Sequence, residues 1–126
     1  MEAGGTVVRF IYEIGFTVKL GKEEAYQTWL AENEAKIAAA QPPGTKYLGT
    51  FAVIFTSEKT AGFYRSFSEL DSYAVIDTYA ALMKDEKSDL GRLMRDESQF
   101  VDYDPNAQWS NGLYKLVVDA AIWDPK

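Results

Sequence analysis

Residues 7–19 read Val7-Val8-Arg9-Phe10-Ile11-Tyr12-Glu13-Ile14-Gly15-Phe16-Thr17-Val18-Lys19. Every second position (Val8, Phe10, Tyr12, Ile14, Phe16, Val18) is apolar, while the alternate set (Val7, Arg9, Ile11, Glu13, Gly15, Thr17) is mixed. A period of two sends successive side chains to opposite faces of an extended chain, so this run predicts a long β-strand with one uniformly apolar face. Gly21 ends it, and Gly15 is the kind of interior glycine that marks a bulge.

Beyond this strand the period changes. Between Lys22 and Ala40, the residues Tyr26, Trp29, Leu30 and Ile37 share one helical stripe, with Glu23, Glu24, Glu32, Glu34 and Lys36 largely elsewhere. The acidic first turn suits the positive end of a helix dipole, and Gln41-Pro42-Pro43-Gly44 cannot continue the helix. Segments from about Lys46 to Thr56 and from Ala61 to Ser68, joined by the polar turn Ser57-Glu58-Lys59-Thr60, read as a hairpin.

Ser68-Glu69-Leu70-Asp71 has capping-box spacing and predicts the start of a second helix carrying Tyr73, Ile76, Tyr79, Ala80 and Met83 on one stripe. Asp85-Glu86-Lys87-Ser88 interrupts that stripe. Leu90, Leu93 and Met94 then predict a short third helix capped by Ser88 or Asp89. A turn-rich stretch from Asp102 to Gly112 precedes a final strand from about Leu113 to Trp123.

The order β-α-β-β-α(α)-β predicts an α+β, ferredoxin-like βαββαβ fold: a four-stranded antiparallel sheet in the order 4-1-3-2, with the helices on one face. No repeat or linker divides the chain. It is read as one domain over residues 1–126, with residues 1–5 as a frayed N-terminus.

Composition narrows the chemistry. Nineteen acidic against thirteen basic side chains give a net charge of −6, and no long Lys/Arg run is present. Nucleic acid and anionic lipid are therefore poor partners, and no apolar stretch is long enough for a bilayer span. The N-terminus lacks a secretory pattern, which makes the cytoplasm the default expectation. With no cysteine and no histidine, disulfides, thiolate nucleophiles, Ser-His-Asp hydrolysis and His- or Cys-ligated metals are excluded. No metal and no cofactor is expected.

The strand faces suggest how the sheet is used. The apolar row of the first strand and the row Tyr114, Leu116, Val118, Ala120 and Ile122 of the last are expected to face the helices. Arg9, Ile11 and Glu13, with Lys115, Val117, Asp119 and Trp123, are then left on the opposite face. The alternation of Phe63, Arg65 and Phe67 against Tyr64, Ser66 and Ser68 leaves the side taken by Arg65 open.

In element order, in Pro42-Pro43-Gly44 after the first helix, and in Phe67-Ser68-Glu69-Leu70-Asp71-Ser72-Tyr73-Ala74 leading into the second, the chain resembles the dimeric α/β-barrel superfamily from Thr6 to Trp123. The resemblance implies a homodimer with two sheets face to face, and a pocket between sheet and helices. Several branches of that superfamily depend on a histidine, which this chain lacks.

The pocket that the resemblance implies would draw on Tyr12, Trp29 and Tyr64, with Arg65 and the late-loop Trp109, as ligand-binding residues. Such aromatic walls suit a planar or apolar small molecule. Ordinary core packing is the competing explanation for these aromatics. Arg9, Glu13, Lys115 and Asp119 are the candidate dimer-face charges, since charged groups between sheets are tolerated when they pair. Three functions follow as expectations: a small-molecule-binding dimer, a cofactor-independent monooxygenase-like enzyme, or an oligomerisation module without a ligand. No catalytic residue stands out, and whether the chain is an enzyme stays open.

Overall fold

A computed structural model of the protein describes residues 10–57, 63–104, 107 and 110–115. Strand β1 (Phe10–Phe16) leads to helix α1 (Glu23–Ala39), strands β2 (Thr45–Ala52) and β3 (Tyr64–Leu70), helices α2 (Val75–Lys84) and α3 (Asp89–Glu97), and strand β4 (Ser110–Lys115). The sheet is antiparallel throughout in the order β2-β3-β1-β4. This is the expected 4-1-3-2 arrangement.

The even-numbered row of β1 faces the helices, as its alternation predicts. Phe10 meets the ring of Tyr73, Tyr12 that of Tyr79 and Phe16 that of Tyr26, all edge to face. The core collects around Tyr26, which is fully buried, together with Phe16, Trp29, Ile37 and Tyr64. Val18 lies beyond β1 and bridges to Val101, while Asp102 N–H donates to the Thr17 carbonyl at 2.8 Å. These bonds pin the chain after α3 to the end of β1.

The structure corrects three local expectations. Gly15 stays in register with Arg65 on one side and Ser110 on the other, so it marks no bulge. The Ser110 hydroxyl occupies the space a Cβ at Gly15 would need. The irregularity lies instead in β2, between Tyr47 and Gly49. Gly49 has φ 138°, a conformation that favours glycine.

Ser68 is a strand residue and caps nothing. It pairs with Tyr12 and Tyr47, β3 runs on to the fully buried Leu70, and α2 begins only at Val75. Ladder hydrogen bonds on both sides, plus burial of Leu70, outweigh a local cap at this position. Ser88 is a true cap: its hydroxyl accepts from Gly91 N–H at 2.9 Å and opens α3.

The last strand is out of phase with the expectation. Ile11 pairs with Tyr114 and Phe10 with Lys115, so Tyr114 lies on the helix-free face and Lys115 falls on the helix side. A one-residue change of register flips every side chain. The missing side chain of Gly112 is what lets Tyr114 lie back along the strand, since a Cβ there would sit 2.7 Å from Tyr114 Cζ. The expected residues Leu116 to Trp123 lie outside the described residues.

Helices α2 and α3 touch through Gly91. A Cβ on Gly91 would lie 2.7 Å from the Asp85 carbonyl carbon and 2.9 Å from Leu82 O, both backbone atoms that cannot rotate away. Gly91→Ala is therefore expected to cost about 2–3 kcal/mol by overpacking, although alanine is the better helix former. The urea midpoint of unfolding measures it, and a value equal to or above wild type would show that the two helices separate freely.

Candidate functional site

A cavity of about 460 Å³ lies between the sheet and the helices. Its floor is the helix-facing row of the sheet, and its apolar walls come from Phe16, Ile37, Met83, Met94 and Val101. The mouth is formed by Asp102, Tyr103 and Asp104, held in place by the backbone bond to Thr17. The size and mixed lining fall in the range of small-molecule sites.

Polar groups converge on this space from several elements. Glu97, the last residue of α3, lines it and accepts a hydrogen bond from Tyr26 Oη on α1 at 2.8 Å. Burial pushes the Glu97 carboxyl well above the usual carboxylate range, and the Tyr26 hydrogen bond opposes that rise. Tyr26 itself is pushed up by burial and by the neighbouring Glu97 charge.

Across the cavity a chain of hydroxyls runs over β2 and β3. Tyr47 Oη donates to Glu34 at 2.9 Å and lies 2.5 Å from Thr50 Oγ1, which is 2.7 Å from Ser66 Oγ. Tyr79 lines the same space, and desolvation raises its phenol. The arrangement can orient a flat molecule between apolar walls, with a carboxyl at one end and hydroxyls at the other.

The aromatic residues singled out by sequence take different places. Trp29 is buried in the core against Tyr26 and Phe100, and its Nε1–H donates to Asp96 Oδ2 at 2.6 Å. Tyr64 stacks on Phe16 and accepts from Gln27 Nε2 at 3.1 Å. Tyr12 stands one ring behind the cavity wall, edge to face with Tyr79, and donates to Asn111 Oδ1 at 3.3 Å. Trp109 lies outside the described residues.

Glu97 escaped the sequence reading because it sits in the polar run Arg95-Asp96-Glu97-Ser98. A signal was present nonetheless. Leu90, Leu93, Met94 and Glu97 fall at i, i+3, i+4 and i+7, which puts this carboxylate on the apolar stripe of α3.

The opposite face of the sheet carries a second cluster. Arg65 and Phe67 pair with Gly15 and Glu13, so both lie on the helix-free side. Glu13 is only 4% exposed, with Arg65 Nε 3.4 Å from its Oε2 and the Tyr114 hydroxyl donating to its Oε1. Phe51 lies edge to face with Phe67 on the same side and is 54% exposed. Of the candidate dimer-face charges, Glu13 lies on this face and Lys115 does not, while Arg9 and Asp119 lie outside the described residues.

A wider, open groove of about 820 Å³ between the end of α1 and α3 is bordered by the exposed pair Arg95–Glu86. It lacks enclosure. Among the described residues no group of three or more acidic side chains is placed to hold a metal ion, and no helix is long and apolar enough to cross a membrane.

The chain matches no protein-family model and no curated protein sequence. Solved structures resemble it in fold. A NIPSNAP family protein from Agrobacterium tumefaciens shares 13% identity over 84% of this chain and 83% of its own, with a TM-score of 0.58. A dabb family protein with a ferredoxin-like fold from Mesorhizobium loti shares 16% identity over 85% and 95%, also at 0.58. A dimeric ferredoxin-like protein of unknown function from Thermobifida fusca shares 13% over 86% and 92%, again at 0.58. The protein therefore has a ferredoxin-like fold, and two of the solved structures that share it are described as dimeric.

Proposed function

We propose that this protein is a homodimer whose sheets meet face to face, and that each copy binds a small planar or apolar molecule in its sheet–helix cavity. The observation that carries the binding reading is the 460 Å³ space itself, apolar on most sides with a few convergent polar groups. The dimer reading is supported by exposed Phe51 and Tyr114 around buried Glu13 and its half-buried partner Arg65 on the helix-free face, and by the dimeric neighbours.

The test is a Met83→Trp variant, which fills the cavity from α2 and leaves the opposite sheet face untouched. Light scattering should give a dimer for both proteins. Titration with naphthalene should show saturable binding to wild type and at least about tenfold weaker binding to the variant. A dimer that binds the probe nowhere would favour an oligomerisation module.

One observation favours a second reading, an enzyme working without a cofactor. A buried carboxyl shifted upward, beside a phenol, is a suitable acid–base group for an enolisable aromatic substrate.

A further inference from the structure

The cavity has a chemical polarity that the binding proposal leaves open. Among the described residues every charged side chain lining it is a carboxylate: Glu97 in the wall, with Asp102 and Asp104 at the mouth. No Lys or Arg is among its described lining residues. Around Glu97 the titratable neighbours are phenols, Tyr26 from α1, Tyr47 from β2, Tyr79 from α2 and Tyr103 from the mouth, with Glu34 beyond Tyr47. None of these supplies a positive charge to an incoming anion.

Tyr26 is the only side chain among the described residues that hydrogen-bonds to Glu97, and it engages one oxygen, Oε2. The carboxyl therefore keeps accepting capacity for a ligand. A ligand O–H or N–H meets that need. A ligand carboxylate placed there would set two like charges together in a desolvated space, which is relieved when one proton from solvent is shared between them.

We infer that the cavity sorts its ligands by charge through Glu97: it holds an uncharged planar molecule bearing a hydrogen-bond donor, and admits a carboxylate only together with a proton. This rests on the cavity being the binding site. Above the pH at which Glu97 ionises in the free protein, each carboxylate bound takes up one proton, so its affinity falls about tenfold per pH unit. The affinity of the neutral donor does not fall over the same range. Burial of Glu97 places the onset above the ordinary carboxylate range.

The experiment compares 2-naphthalenemethanol with 2-naphthoate by calorimetry from about pH 5 to 9, a range spanning ordinary to raised carboxyl values. For the wild-type protein the alcohol should bind evenly and the naphthoate progressively more weakly above the onset, with proton uptake visible as a dependence on buffer ionisation enthalpy. Glu97→Gln should bind naphthoate without pH dependence, and more tightly than wild type at the alkaline end.

Tyr26→Phe removes the hydrogen bond that favours the ionised carboxyl, and should move the onset to higher pH. It thus tests the same group if the Glu97 variant folds poorly. A naphthoate affinity that is level in wild type up to the alkaline end, or a slope that survives in Glu97→Gln, would overturn the inference while leaving the cavity as a binding site. Failure of both compounds to bind wild type would sink the cavity reading and this inference with it.

Discussion

Tyr26→Ala is expected to lower stability by about 3–5 kcal/mol, the range for deleting a large aromatic side chain from a packed core. Tyr26 is 0% exposed and its ring contacts Phe16, Trp29, Tyr64 and Phe100, so four neighbours lose their common partner at once. The hydroxyl also holds Glu97. Tyr26→Phe keeps the ring and leaves the carboxyl without that donor, at a cost of about 1–3 kcal/mol. Urea unfolding of the pair separates packing from hydrogen bonding. Equal losses in the two variants would mean that the hydroxyl, and not the ring, supports the core.

The second large effect is expected at Arg65. Glu13 is buried on the helix-free face and its side chain is 6% exposed, against 15% for Arg65. Arg65→Ala removes the cation and leaves the carboxylate with the Tyr114 hydroxyl, at a cost of about 3–5 kcal/mol, as for other buried pairs broken on one side. Replacing both, as Arg65→Met with Glu13→Gln, removes the uncompensated charge and should recover most of that loss. Urea unfolding with light scattering follows stability and assembly together. If Arg65→Ala loses less than about 1 kcal/mol, the pair is worth no more than a surface ion pair and the face is wet. If the double variant stays a dimer and the single does not, the charge pair sits at the subunit seam.

Much of the architecture was legible because its signals are local. The alternation of Val7 to Lys19, the stripe Tyr26, Trp29, Leu30 and Ile37, and the break at Asp85 to Ser88 each state a period or its interruption. The structure shows α1 and the α2–α3 break in those places, and β1 over Phe10–Phe16, inside the longer run that the alternation marks. Ser88 as a cap was likewise readable, since a cap needs only its own helix.

The sequence by itself determined the element order, the helix-facing row of β1, the negative charge and the absence of thiol and imidazole chemistry. Tertiary structure decided the rest, because it depends on pairing between distant segments. The phase of β4 is set by its partner β1 and by the space over Gly112, neither of which appears in the local pattern of residues 110–115. The capping-box spacing at Ser68 lost to two flanking ladders. The side taken by Arg65 followed from its pairing with Gly15. Glu97 became a cavity group only when α3 docked near Tyr26, since a carboxyl on an apolar stripe acquires its character from what excludes water around it.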